Sequence, residues 1–481
     1  MTMASDKFSV LRKKLTKGCV LLPGDDGFDD SLQRWSATCV LAAAAVAQPT
    51  TAEEVSEVVK FATTHGIAFN VKGGGHSTSQ SSSAPSPEGM VLDLVLMRNV
   101  SVNTAAQTVT YEGGCLWDDI NDALWEHGLA TVGGVVSHTG VGGLILQGGF
   151  GILTGLHGLT IDVLEACEVV LADGRIVTAS QTENADLLWG LRGAGSTLGV
   201  VTQFTSKAFP QGDVWGGMII FTADKLPALV DFVNLWAATN DGHQVTGMGL
   251  AYGPPAEDDN PRSPRPPVVV MQAFHLGPDA GEQGPKYFAP LLEAGPIMQQ
   301  LGAMSYPAAN RLMNESARHG KRYQFGGSNF TTPLKLSTVE TIQSKFRGFI
   351  ESHPGTGIED SICLFEGFPN EKIRSISVDS MAFNSRGNYY NVGLIWAWGD
   401  AKLDAEVRKF NQRLQRDIRT LGYDDAEFRD GVGVYLNYMG RDAMQAEAAF
   451  GSHAIRLMEL KKWYDPSNIF DKAWKLVGPR I

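Results

Sequence analysis

The chain has 481 residues, enough for two or three domains that each bury a core of their own. A formal charge of −12 leaves no cationic surface for nucleic acid or an anionic membrane, and no apolar run is long enough to span a bilayer. With 43% apolar and 19% charged residues it reads as an enzyme-sized soluble protein, and 54 glycines imply tight turns and close backbone approaches.

The stretch from Met1 to Leu15 is basic but no apolar segment follows it, so no secretory signal is expected. Cys19, Cys39, Cys115, Cys167 and Cys363 are odd in number and form no CxxC pair, which suits reduced thiols and a cytoplasmic setting. Thr51-Ala52-Glu53-Glu54 predicts a capping box, Val55, Val58, Val59 and Ala62 follow at helical spacing, and Gly66 ends the helix. A strand is predicted over Ile67 to Val71, and Gly73-Gly74-Gly75-His76-Ser77 follows it. Strands near Met90 to Leu94 and Thr108 to Tyr111 and a helix near Trp117 to His127 continue an α+β pattern.

Gly133 to Gly158 is too rich in glycine for one regular element and is expected to wind as loop and short helix. Ala166 to Leu171 and Arg175 to Thr178 read as a hairpin closed by Asp173-Gly174. Beyond Pro210, strands are predicted over Trp215 to Phe221, Val245 to Tyr252, Val268 to Phe274, Ile362 to Phe365 and Tyr390 to Trp398. Helices are predicted over Leu226 to Ala238 and Leu403 to Leu421, together suggesting one antiparallel sheet with helices on one face. Pro254 to Pro267 reads as a surface loop, and a terminal helix begins near Phe450.

The glycine loop carries the first chemical signal. It lacks the Lys-Ser/Thr end of a phosphate-binding Walker loop and the position of a GxGxxG fingerprint. Successive glycines instead let backbone amides approach a nucleotide cofactor, with an imidazole held beside it. Gly140, Gly142, Gly143, Gly148 and Gly149 offer the same contacts, while His138 either faces the cofactor or caps a turn. Glu366 follows an apolar strand, so if buried its pKa rises and it becomes a candidate base; the alternative is a salt-bridged carboxylate at a rim. In an extended Tyr435-Leu436-Asn437-Tyr438, strand periodicity would point the two tyrosines to opposite faces. Trp396 and Trp398 share one face, as an aromatic wall or as packing against helices. Asn329, Arg386 and Tyr389 are weaker candidates, and the histidines lack metal-ligand spacing, so no metal is expected.

Lys72-Gly73-Gly74-Gly75-His76-Ser77 resembles the flavin-attachment loop of berberine bridge enzyme-like FAD oxidoreductases, within the vanillyl-alcohol oxidase superfamily. Gly140-Val141-Gly142-Gly143, Gly148-Gly149-Phe150-Gly151, Gly199-Val200-Val201-Thr202, Tyr435 to Tyr438 and Tyr464 to Phe470 resemble its further motifs, in the same order. The resemblance implies a PCMH-type FAD domain over residues 1–212, completed by 433–481, and a substrate domain over 213–432 whose antiparallel sheet covers the flavin. It implies FAD contacts from Lys72, Gly73 to Gly75, Ser77, His138, Thr139, the later glycines and Val201, with His76 as covalent anchor. Many relatives carry a second link from a cysteine four residues before Gly-Val-Gly-Gly; here that residue is Val136, so a single link is expected. Thr139 occupies a position, often valine in oxidases, that is associated with dioxygen access.

The implied activity is hydride transfer from a small organic substrate of the secondary-metabolite kind, with Glu366, Tyr435 or Tyr438 as base and Asn437 as a hydrogen-bonding partner. Dioxygen then reoxidises the flavin, and some such reactions end in ring closure. A flavin-bearing non-redox cyclase or isomerase and a secreted carbohydrate oxidase are the alternatives.

Overall fold

The structure, a computed structural model, describes residues 3–254, 263–421, 433, 435–439, 446–471, 474 and 476. Its main sheets are two small ones in the first half and one broad one in the second, besides a two-stranded ladder of Leu129–Ala130 and Phe209–Pro210. In the first sheet Ala45–Gln48 and Phe69–Lys72 flank Met90–Asp93 in parallel, and Cys19–Leu21 adds an antiparallel edge. The helix Ala52–His65 connects two of these strands and buries Val55, Val58, Val59 and Ala62. Each valine so buried contributes roughly 1.5 kcal/mol or more.

Only half of the expected capping box forms. The Thr51 hydroxyl accepts from the Glu54 amide at 3.3 Å, but the Glu54 carboxylate instead accepts from the amides of Lys17, Gly18 and Thr50. It fastens the N-terminal segment, whose amides have greater need of an acceptor than the capped helix end.

The second sheet is antiparallel, in the order Val100–Asn103, Thr108–Glu112, Val200–Lys207, Leu164–Val170, Ile176–Ser180. The glycine-dense segment resolves into loop and two short helices, Val141–Ile145 and Thr154–His157. The helix Ala454–Tyr464 returns to this half, where Leu457 and Leu460 share a core with Leu187, Leu191 and Leu198. Its Lys461 is buried against Asp465 at 2.6 Å and also donates to the carbonyls of Thr197 and Phe470.

The third sheet has seven antiparallel strands, in the order Met298–Met304, Val214–Thr222, Pro267–His275, Gln244–Tyr252, Ile362–Gly367, Tyr390–Trp398, Arg322–Phe330. Two of these, Met298–Met304 and Arg322–Phe330, are not among the predicted strands. Side chains alternate between its faces. Ile219, Met271, Met248, Phe365, Leu394 and Trp396 meet the helices Leu226–Thr239, Leu336–Glu351 and Asp404–Thr420 in one core. Met218, Ile220, Val270, Gln272, Leu364 and Glu366 point the other way, into a cavity. Trp396 and Trp398 therefore pack under the helices, with Trp396 donating to Asn411 and Trp398 to Asp404, and form no aromatic wall for a substrate. The proposed boundary at residue 432 falls outside the described residues.

Candidate active site

The cavity, about 740 Å³, runs between the glycine loops of the first half and the open face of the seven-stranded sheet. That is the size of an ordinary cofactor and ligand site. One end is walled by Asn70, Lys72, Gly73 to Ser77, Gly113, Gly140, Gly142, Gly143, Val200, Val201 and Phe470. The other is walled by the sheet, by Glu366 and by Tyr435 to Met439.

The two glycine loops lie against each other, backbone to backbone. A Cβ on Gly74 would stand 2.4 Å from the Gly140 nitrogen, so only glycine permits this approach. Gly140 also begins the short helix Val141–Ile145 with no side-chain cap; the Val141 N–H is taken by the Cys115 carbonyl, while Gly142 and Gly143 line the cavity. Uncapped amides at a helix start suit a phosphate. Lys72 lines the same end, its ammonium held by Asp93 at 3.0 Å and the Ser31 carbonyl at 3.1 Å. Shape and donor set therefore fit a dinucleotide such as FAD. Gly148 and Gly149 do not join this wall. They turn the chain instead, Gly149 with φ +80° and so close to Thr160 that a Cβ would strike its hydroxyl.

His76 lines the cavity between three rings. Trp35 stacks on it at 4.6 Å and 11°, His138 Nδ1 lies 2.9 Å from its Nε2, and His319 meets it edge-on at 6.0 Å. Burial, with two neighbouring imidazoles, pushes its pKa well below the ordinary value, so the ring is neutral at neutral pH. His138 is not among the cavity walls; it sits behind His76, with its Nδ1 2.9 Å from His76 Nε2. Trp35 also stacks on Tyr323 at 3.9 Å and donates to the Ala317 carbonyl at 2.7 Å, joining the anchor loop to an edge strand of the large sheet. No motif announces Trp35, Tyr323 or His319, because they gather only by folding. Val136 and Thr139 both line the cavity, and the single cysteine among its described walls is Cys39.

At the sheet end, Glu366 closes the strand Ile362–Gly367 and is 5% exposed. Tyr438 donates to its Oε1 at 2.6 Å, while its buried Oε2 has no partner among the described residues. Burial pushes the carboxyl up to about 7, against the opposing hydrogen bonds from Tyr438 and Asn391. This is a carboxylate inside the site, not one paired at a rim.

The closing motif is not extended. Leu436–Tyr438 is a single 3₁₀ turn, so residues three apart eclipse, and Tyr435 and Tyr438 both enter the cavity wall with rings 4.7 Å apart. Both tyrosines are raised by burial and by the Glu366 charge, which removes a low-pKa tyrosine as base. The Tyr435 hydroxyl accepts from Phe150 N at 3.3 Å and Asn437 Nδ2 at 3.1 Å, and that amide also donates to the Leu144 carbonyl. Asn437 thus ties the closing turn to the glycine segment. Arg386 forms a buried ion pair with Asp162 at 2.6 Å, and neither it, Tyr389 nor Asn329 lines the cavity. Among the described residues no cluster of three or more His, Cys, Asp or Glu could hold a metal, and no helix is long and apolar enough to cross a membrane.

Comparison with known proteins agrees with this geometry. Residues 43–180 match the FAD binding domain family and residues 434–473 the family described as berberine and berberine like. The FAD-linked oxidoreductase pgmH of Aspergillus terreus is 30% identical over 475 residues, covering 96% of this chain and 94% of its own. Among solved structures, 6-hydroxy-D-nicotine oxidase from Arthrobacter nicotinovorans superposes with a TM-score of 0.80 at 24% identity, covering 96% of this chain and 98% of its own. Xylooligosaccharide oxidase from Myceliophthora thermophila C1, solved with xylobiose, gives 0.80 at 20% identity over 100% of both chains. The glycine-walled cavity, the helix start that suits a phosphate and the full-length relationship converge: this chain belongs to the berberine bridge enzyme-like family of FAD-linked oxidoreductases.

Proposed function

We propose that the enzyme oxidises a small organic alcohol or amine, with Glu366 as the general base and FAD held by one covalent bond from His76. The observation that carries this reading is the unpartnered Oε2 of Glu366, buried in the cavity wall on a carboxyl raised to about 7. A base of that strength is ionised in part at neutral pH and takes a substrate O–H or N–H proton. Tyr438 stays protonated and steadies the carboxylate through Oε1, which leaves Oε2 for the substrate.

FAD, when bound there, would supply the two-electron acceptor for the substrate C–H hydride, with dioxygen as the final oxidant reduced to hydrogen peroxide. Lys72, the glycines at 73–75, 140, 142 and 143, and Val201 hold the cofactor. His76 is disposed for the tether because it is neutral and its Nε2 is engaged by His138, which leaves Nδ1 to form the bond. That bond replaces one imidazole N–H and one C–H of the flavin C8 methyl, with dioxygen taking two electrons and two protons. Val136 supports a single tether, since its side chain carries no thiol. Where the substrate carries an internal nucleophile, loss of hydride leaves an electrophile that closes a ring. Five free cysteines support a reducing, cytoplasmic setting.

The test is anaerobic mixing of holoenzyme with candidate alcohols and amines while the visible band of oxidised flavin is followed. Bleaching, then peroxide when oxygen is readmitted, is the expected result. Product formation without bleaching would overturn it.

A further inference from the structure

The ladder register sets Met218, Gln272, Gly247, Glu366 and Asn391 in one transverse row across the sheet. Residues directly opposite in antiparallel strands share a face, with Cβ atoms about 5 Å apart. Gly247 separates Gln272 from Glu366 and has no side chain, so the Gln272 amide lies across it. A Cβ on Gly247 would be 3.1 Å from Gln272 Oε1. The amide therefore ends over the strand adjoining Glu366, roughly 5 Å across the ladder from it.

Both groups have unused hydrogen-bonding capacity. Gln272 Nε2 has only the Met313 sulfur at 3.2 Å, a weak acceptor, and its Oε1 accepts from none of the described residues. Glu366 Oε2 is unpartnered as well. The neighbouring cavity surface from Met218, Ile220, Val270 and Leu364 is apolar. Two unfilled polar groups in an apolar wall, one strand apart, form a recognition pair for polar groups that arrive together.

We infer that Gln272 is a specificity residue that reads a second polar group next to the one deprotonated by Glu366. This rests on the assignment of Glu366 as base. Two substrate oxygens about 3 Å apart can reach both groups at once through hydrogen bonds of about 2.8 Å. That is the spacing of the two neighbouring oxygens of an ortho-hydroxylated benzylic alcohol. The apolar surround favours such a ring compound over a sugar, whose remaining hydroxyls would be left without partners.

Anaerobic titration of the holoenzyme with benzyl alcohol, 2-hydroxybenzyl alcohol, 4-hydroxybenzyl alcohol and xylobiose, read from perturbation of the flavin band, tests the assignment. The wild type is expected to bind the 2-hydroxy compound about tenfold or more tightly than either other alcohol, and all three more tightly than xylobiose. Gln272→Leu collapses the ortho preference to within about twofold, and Gly247→Ala does so independently by displacing the amide. A wild type without ortho preference, a Gln272→Leu variant that keeps it, or tighter binding of xylobiose overturns the inference. Glu366→Gln separates this from the assignment of the base. It retains the ortho preference but loses bleaching, whereas bleaching that survives refutes the base and leaves Gln272 in place.

Discussion

The Tyr438 hydroxyl donates to Glu366 Oε1 at 2.6 Å although the two residues are 72 positions apart. A donor to the charged form lowers a carboxyl pKa, and here it opposes the larger effect of burial. Tyr438→Phe removes that opposition. Its kcat/KM, which in the wild type should rise with pH to a plateau above about 7, moves its ionisation to higher pH. Flavin content stays the same, and pH–rate profiles of the two proteins check the shift.

Glu366→Gln removes the proposed base without changing the shape of the wall. Flavin reduction under anaerobic single-turnover conditions slows by about 10²–10⁴-fold. The same substitution has a stability signature. The folded carboxyl is raised from the ordinary 4.5 to about 7, so its protonation favours the folded state fully below 4.5, and that contribution is lost as pH rises toward 7. Glu366→Gln should therefore raise the melting temperature relative to wild type at pH 8 and leave the difference smaller at pH 4. Thermal unfolding at the two pH values decides it.

His76→Ala gives a protein whose yellow colour is released on acid precipitation, while the wild-type pellet stays coloured. His138→Phe keeps His76 but frees its Nε2, so the acid-stable fraction falls and the total flavin bound before acid does not. Denaturing gels under ultraviolet light measure both.

Gly74→Ala drives a methyl group into the backbone of the facing glycine loop, with a Cβ 2.4 Å from Gly140 N and 2.5 Å from its Cα. Two backbones cannot yield as a flexible side chain can. FAD content per chain should drop below about a tenth of wild type, with far-ultraviolet circular dichroism little changed. Normal cofactor loading would show that the loops separate freely.

Trp35→Ala removes a side chain 2% exposed, its stacking on His76 and Tyr323, and its hydrogen bond to Ala317. Loss of about 3–5 kcal/mol is expected from denaturant midpoints, together with a smaller acid-stable flavin fraction.

Local signals carried much of this architecture. The periodic valines of Ala52–His65, the Asp173-Gly174 hairpin and the apolar run Ile362 to Phe365 were legible because each signal lies within its own element. Arg322–Phe330 was not, because its polar residues and adjacent glycines oppose strand propensity, and pairing with Tyr390–Trp398 overrides them. Met298–Met304 has no β-branched residue and likewise depends on its neighbour. Helix Leu336–Glu351, absent from the predicted elements, has a clear apolar stripe in Val339, Ile342, Phe346, Phe349 and Ile350. In the site, His76 and Glu366 stood out by motif and by an acid at an apolar strand end. Gln272 and Trp35 matter only through partners distant in the chain, and the 3₁₀ turn at Leu436–Tyr438 reversed a tyrosine orientation that periodicity had assigned.

The walls of the cavity begin at Arg34 and end at Phe470. On a ribosome adding about 5–20 residues per second, the anchor His76 would emerge roughly 20–80 s before the last wall arrives. During that interval an open loop holds a reactive imidazole with no enclosure around it. The cavity that would receive the cofactor is thus complete only late in the synthesis of the chain.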